Sequence, residues 1–157
     1  MTDPGDTCDG LDGRAAPAPA PGLPPDVPAL KMFYLYLSAG CNLCCRHCWI
    51  TPTFVHGKPV PAECLDFDLL KGAVAEAKPL GLFSAKLTGG EPTLHPQFRD
   101  VVDFLTAQGL ELSMETNGTL IDRDLAVHLR QHTGLKRVSV SLDSPDAAEH
   151  DRFRGVP

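Results

Sequence analysis

From residue 31 onward the chain switches repeatedly between two apolar rhythms. Residues 32–37 (M-F-Y-L-Y-L) are almost wholly apolar and aromatic, which predicts a strand covered on both faces, as in a parallel sheet. Pro52, Gly57, Pro59 and Pro61 then break any regular element. A helix begins near Asp66 or Asp68, either of which can cap it, and carries Leu69, Leu70, Ala73, Val74 and Ala77 on one stripe until Pro79 and Gly81 stop it. Residues 83–88 read as a second strand, followed by G-G-E-P. The next helix has Pro96 in its first turn and Phe98, Val101, Val102 and Leu105 facing inward, with Gly109 at its end. Leu110, Leu112 and Met114 alternate with Glu111, Ser113 and Glu115 in a third strand that finishes at T-N-G. Asp122 caps a helix bearing Leu125, Ala126 and Leu129, and Gly134 closes it. Residues 136–142 form a fourth strand, after which Pro145 opens another helix.

Strand followed by helix, repeated with short connections, defines an α/β protein with a parallel sheet and right-handed crossovers. The expected architecture is part of a TIM-like barrel, whose function gathers at the C-terminal edge of the strands because the loops there share one mouth. Four βα units cannot close a barrel, and they leave the last strand as an edge ready to pair. The expectation is therefore a partial barrel in a truncated chain. Residues 1–30, rich in Pro, Ala, Gly and Asp, have little to bury and read as a disordered leader, with the folded domain at residues 31–157.

Composition narrows the field only a little. At 157 residues, with 43% hydrophobic and 22% charged residues, the chain suits one ordinary domain. A net charge of -6 argues against a general nucleic-acid surface, and no apolar run reaches membrane-spanning length. With no export signal and its cysteines clustered as metal ligands, the chain is expected in a reducing cytoplasm. Cys8 and Cys64 read as incidental thiols.

Residues 41–48, C-N-L-C-C-R-H-C, hold four of the six cysteines. Thiolates at this density select zinc or iron–sulfur clusters. Cys41, Cys45 and Cys48, at the spacing Cys-x3-Cys-x2-Cys, can wrap an inorganic cluster and leave a fourth iron without a protein ligand. Zinc is the rival, with Cys41, Cys44, His47 and Cys48 as a possible tetrahedral set. A disulfide is disfavoured, since neighbours such as Cys44 and Cys45 do not easily meet its geometry.

The loop C-N-L-C-C-R-H-C-W after strand one, L-T-G-G-E-P-T-L-H-P after strand two, T-N-G after strand three and S-L-D-S at strand four together resemble the N-terminal part of a radical S-adenosylmethionine (SAM) enzyme. The style of the motifs is similar to the branch that modifies peptides and proteins, many of whose members carry extra clusters in a C-terminal extension. The resemblance implies a [4Fe-4S] cluster on Cys41, Cys45 and Cys48, with SAM chelating the open iron through its amino and carboxylate groups. It also implies reductive cleavage of SAM to a 5'-deoxyadenosyl radical that takes hydrogen from a substrate. That substrate is a peptide or protein or, alternatively, a small molecule of cofactor synthesis, and electrons come from a donor such as a flavodoxin or ferredoxin. A non-catalytic zinc-bound interaction module is the alternative from another class.

Within that resemblance Gly89 and Gly90 allow close backbone approach, and Glu91 offers a carboxylate to the cofactor's amino group. Ser141 and Asp143, at alternate strand positions, face one side toward the ribose and carboxylate, although Asp143 and Ser144 equally suit helix capping. Thr116 and Asn117 are pocket candidates as well as ordinary turn residues. His47 is expected to pack near the adenine, and Trp49 either walls the cluster or joins the core. His95 reads as a loop or cap residue. His128, His132 and His150 read as solvated. Arg152 and Arg154 can meet a carboxylate at the mouth, but ordinary surface charge is the preferred account.

Overall fold

A computed structural model of the chain describes residues 23–24, 26–50, 54–55, 58–59, 63–131 and 134–155. The elements are β1 (Met32–Ser38), β2 (Phe54–Val55), β3 (Lys58–Pro59), α1 (Phe67–Ala77), β4 (Ser84–Gly89), α2 (Phe98–Ala107), β5 (Glu111–Thr116), α3 (Arg123–Gln131), β6 (Leu135–Val140) and α4 (Ala147–Arg154). Short 3-10 turns cover Lys78–Leu80 and Pro92–Leu94. Four strands form one parallel sheet in the order β1-β4-β5-β6, and β2 and β3 make a small antiparallel pair. This is the expected βα repeat, a partial α/β barrel wall.

The core lies between the sheet and its helices. Leu35 and Leu37 of β1, Ala85 and Leu87 of β4, and Leu112 and Met114 of β5 meet Leu70, Val74, Phe98, Val101, Val102, Leu105, Leu125 and Leu129. Each fully buried aliphatic side chain contributes about 1.5–3 kcal/mol through removal of apolar surface from water. Leu30, in the segment expected to be a leader, is already packed against this core and donates its N–H to Leu80 O.

Local signals placed most elements correctly, and tertiary geometry moved several details. Asp66 caps α1 by accepting from Leu69 N, whereas Asp68 pairs with Lys71 Nζ at 2.8 Å. Leu69, expected on the buried stripe, is 66% exposed, because Leu70, Val74 and Ala77 alone complete the inward face. Ala126 is likewise exposed beside buried Leu125 and Leu129. Pro96 lies ahead of α2 rather than in its first turn, because the unforeseen 3-10 turn after Glu91 delays the helix to Phe98. Pro145 precedes the cap of α4, which is Asp146, accepting from Glu149 N. Pro59, expected only as a breaker, lies in β3, and Cys8 and His132 fall outside the described residues.

The prediction that β1 is covered on both faces is also corrected. Met32, Tyr34 and Tyr36 are exposed on the face opposite the helices, because no described element covers it. The outer edge of β1 is partly covered instead by residues 63–65: Ala39 N donates to Glu63 O and Leu65 N to Leu37 O. At the other edge β6 is exposed along most of its length.

Candidate functional site

The loop after β1 and the turn after β4 are stitched together by backbone. Gly90 N donates to Ser38 O and Glu91 N to Gly40 O, both at 2.8 Å. A Cβ at Gly90 would lie 2.0 Å from Gly40 O, so only glycine permits this approach. Gly89 ends β4 in register with Ser38.

Glu91 is fully buried beneath this crossing. Its Oε1 accepts from Thr93 Oγ1 (2.6 Å), Thr93 N (3.2 Å) and Thr116 Oγ1 (2.8 Å), and its Oε2 accepts from Asn117 N (2.8 Å). A buried carboxylate requires such donors, and here they tie the end of β4 to the end of β5. Asn117 continues the chain of contacts: its Nδ2 donates to Asn42 Oδ1 at 2.8 Å and lies 3.6 Å from Cys41 Sγ. Thr119 closes the network, with N and Oγ1 donating to Asn117 Oδ1 while Asn42 Nδ2 donates to Thr119 Oγ1. The first cysteine, the buried Glu and T-N-G thus form one connected unit.

Cys41 is buried, Cys45 half-buried, and Cys44 and Cys48 exposed. Burial pushes the Cys41 thiol above its ordinary value, reinforced by Glu91 and Cys45 and opposed by hydrogen bonds from Leu43 and Asn117. Cys48 Sγ lies 2.8 Å from Ile50 O. All five described cysteines are unpaired thiols, Cys64 among them. Among the described residues, no three His, Cys, Asp or Glu side chains converge as ligation of one ion demands. Cluster ligation makes a different demand, one iron for each thiolate. The donor set suits it, for three cysteines share one loop and N–H donors reach two of the sulfurs, Asn117 at Cys41 and Arg154 at Cys45.

On the β6 side the outcome differs from expectation. The strand ends at Val140, so Ser141 and Asp143 lie beyond it and strand alternation does not orient them. Ser141 N donates to Thr116 O, which holds the start of this segment against β5. Asp143 turns toward α4 and the cysteine loop, with Oδ2 2.6 Å from Arg154 Nε and Oδ1 4.0 Å from His47 Nε2. Arg154 is not surface charge, being 7% exposed with a guanidinium nitrogen 3.7 Å from Cys45 Sγ. Arg152 is exposed. The His47 ring packs on Phe153 with centroids 4.9 Å apart.

Other polar expectations are also revised. His95 is a buried tie: Nδ1 accepts from Gln97 N, which leaves Nε2 to donate to Leu65 O at 2.7 Å. His128 and His150 are not simply solvated, since His128 Nε2 lies 2.9 Å from Asp103 Oδ1 and His150 Nδ1 accepts from Asp143 N. Ser144 accepts from Asp146 N and donates to Glu149 Oε2 rather than capping α4. Trp49 is 79% exposed, which removes the core role, and its ring meets Tyr36 edge-on. Sequence reasoning missed Asn42, Thr93 and Thr119, whose roles follow from partners distant in space and not from any local signal.

The arrangement just described belongs to a known class, a partial α/β barrel with a cysteine loop and a glycine-rich turn meeting at the strand ends. The radical SAM superfamily model matches residues 35–157, and the chain belongs to that family. It is 35% identical over 130 residues to the AdoMet-dependent heme synthase of Nitratidesulfovibrio vulgaris, covering 83% of this chain and 34% of that protein. It is 34% identical over 120 residues to the mycofactocin maturase of Mycobacterium tuberculosis, covering 76% of this chain and 29% of that protein. The chain therefore spans about a third of the length of the curated relatives it matches. The crystal structure of Streptococcus suis SuiB bound to S-adenosylmethionine shares the fold, with a TM-score of 0.65 and 22% identity over 82% of this chain and 28% of that one. No described helix is long and apolar enough to cross a membrane.

Proposed function

We propose that this chain forms the cluster- and SAM-binding part of a radical SAM enzyme that modifies a peptide or protein. The observation that carries the reading is the continuous contact from Cys41 through Asn117 to Glu91, with Gly90 crossing Gly40 on the same unit. Cys41, Cys45 and Cys48 would hold the [4Fe-4S] cluster, and Gly89 and Gly90 would present backbone to the methionine end of SAM. When bound, the two together supply one-electron cleavage of a sulfur–carbon bond and a 5'-deoxyadenosyl radical that abstracts hydrogen.

The protein's own part is placement and electrostatics. Glu91 keeps its oxygens on Thr93, Thr116 and Asn117, so its charge acts on the cofactor's ammonium through the wall it stiffens. Thr116 and Asn117 shape the pocket from β5, Ser141 and Asp143 from the segment after β6, and His47 from the cysteine loop. Electrons would come from a flavodoxin or ferredoxin. Similarity to a maturase supports the peptide reading, while similarity to a heme synthase supports the second reading, a small molecule of cofactor synthesis.

Anaerobic reconstitution tests the proposal. The chain should turn brown with about four irons, and Cys45→Ala should lose the cluster. Zinc in both preparations with no iron uptake would instead establish the zinc-bound interaction module. With a reduced cluster and candidate substrates, SAM-derived 5'-deoxyadenosine formed faster with a peptide than with a porphyrin-type small molecule supports the peptide reading, and the reverse supports the second.

A further inference from the structure

The C-terminal end of α4 is built onto the cysteine loop. Cys44 N donates to Arg154 O at 3.2 Å and Arg46 N to Phe153 O at 2.9 Å, so two helix-end carbonyls that lack intrahelical partners are satisfied by the loop. Gly155 follows in the left-handed region at φ 70°, and a Cβ there would sit 2.3 Å from Cys44 O. This docking carries a buried guanidinium to the loop. Arg154 is ion-paired with Asp143, whose Oδ2 lies 2.6 Å from Nε without hydrogen-bond alignment, and it reaches Cys45 Sγ with a terminal nitrogen. Arginine is permanently charged, so it can attract two electron-rich partners at once. A carboxylate on one side and a sulfur on the other are those partners.

We propose that Arg154 is a positioning residue that holds the Cys45 sulfur and sets the reduction potential of the cluster, with Asp143 moderating its charge. The proposal rests on the cluster reading above. One electron enters the cluster on reduction, and no bond to Arg154 forms or breaks. A positive charge and an N–H···S contact stabilise the more negative reduced state, so Arg154 raises the potential. The Asp143 carboxylate offsets part of that charge and lowers it. Arg154 and Asp143 therefore act with opposite sign, which a purely structural pair would not do.

The test compares reconstituted wild-type chain with Arg154→Gln, Arg154→Lys and Asp143→Asn, without SAM, by iron content and by EPR of the reduced cluster at set potentials. Arg154→Gln should lower the ratio of reduced to oxidised cluster about tenfold at the wild-type midpoint, on the order of 59 mV for a one-electron couple. Arg154→Lys should show a smaller fall, and Asp143→Asn a rise. Failure of the wild type to take up iron would sink the cluster reading itself. Equal midpoints in fully loaded proteins would sink the role of Arg154 alone. If Arg154→Gln does not load, the signs of the Lys and Asn shifts decide, and wild-type midpoints in both overturn the proposal.

Discussion

The two sides of the barrel mouth are held by opposite strategies. On the β4–β5 side a single buried carboxylate, Glu91, gathers donors from Thr93, Thr116 and Asn117, and backbone crosses backbone at Gly90 and Gly40. On the β6–α4 side the tie is an ion pair between Asp143 and the buried Arg154, with His47 farther off at 4.0 Å, beside a loop whose Cys44 and Cys48 face solvent. On the first side the protein itself supplies the hydrogen bonds that a buried charge needs. The second carries Cys44, Cys45 and Cys48 as free thiols, two of them exposed. Rigid support next to free thiols is what a cofactor site needs if the cofactor is to arrive without remodelling the fold.

Substitutions on the two sides should therefore fail differently. The largest effect is expected from Gly90→Ala, where the new methyl has only backbone to displace. Stability should fall by about 4 kcal/mol or more, seen as a lower denaturation midpoint. A change under about 1 kcal/mol would show that the crossing is loose. Next comes Glu91→Gln, which keeps the shape but turns an amide N–H₂ toward existing donors, for a loss of about 2–3 kcal/mol by the same measurement. Gly155→Ala acts on the other side. It should cost about 2–3 kcal/mol of stability, from left-handed strain and the clash with Cys44 O together, while sharply reducing iron uptake, because Cys44 must move. If stability and uptake fell in proportion, the β6–α4 side would be no more specialised than the first.

A smaller effect concerns pH. The folded chain holds the Cys41 proton more tightly than the unfolded chain, because burial raises that thiol above its ordinary 9.0. This contribution to the cluster-free chain is complete below the ordinary value and is lost as pH rises through the raised one. Unfolding midpoints should fall more steeply in wild type than in Cys41→Ser as pH rises above about 9; parallel profiles would refute it. The smallest effect belongs to Leu69→Ser on the exposed face of α1, within about 0.5 kcal/mol.

Much of this was legible in the chain itself. The alternation of Leu110, Leu112 and Met114 with polar residues, and the Asp66 and Asp122 caps, foretold β5, α1 and α3 because period and capping are local properties. The same logic overreached at Leu69 and Ala126, where apolar character was taken for burial although the inward face was already filled. It also misjudged β1, since an apolar strand looks alike whether one face or both are covered.

By itself, the sequence determined the succession of strands and helices, because each depends on residues a few positions apart, and the parallel repeat that this succession implies placed the cysteine loop, G-G-E-P and T-N-G at one edge. Only the tertiary structure decided that Glu91 lies inside rather than at the surface and that Arg154 faces sulfur rather than water. Those outcomes rest on partners 25 and 109 positions away, Thr116 for Glu91 and Cys45 for Arg154. The environment of a charge is set by what the fold packs around it, and no local pattern carries that information.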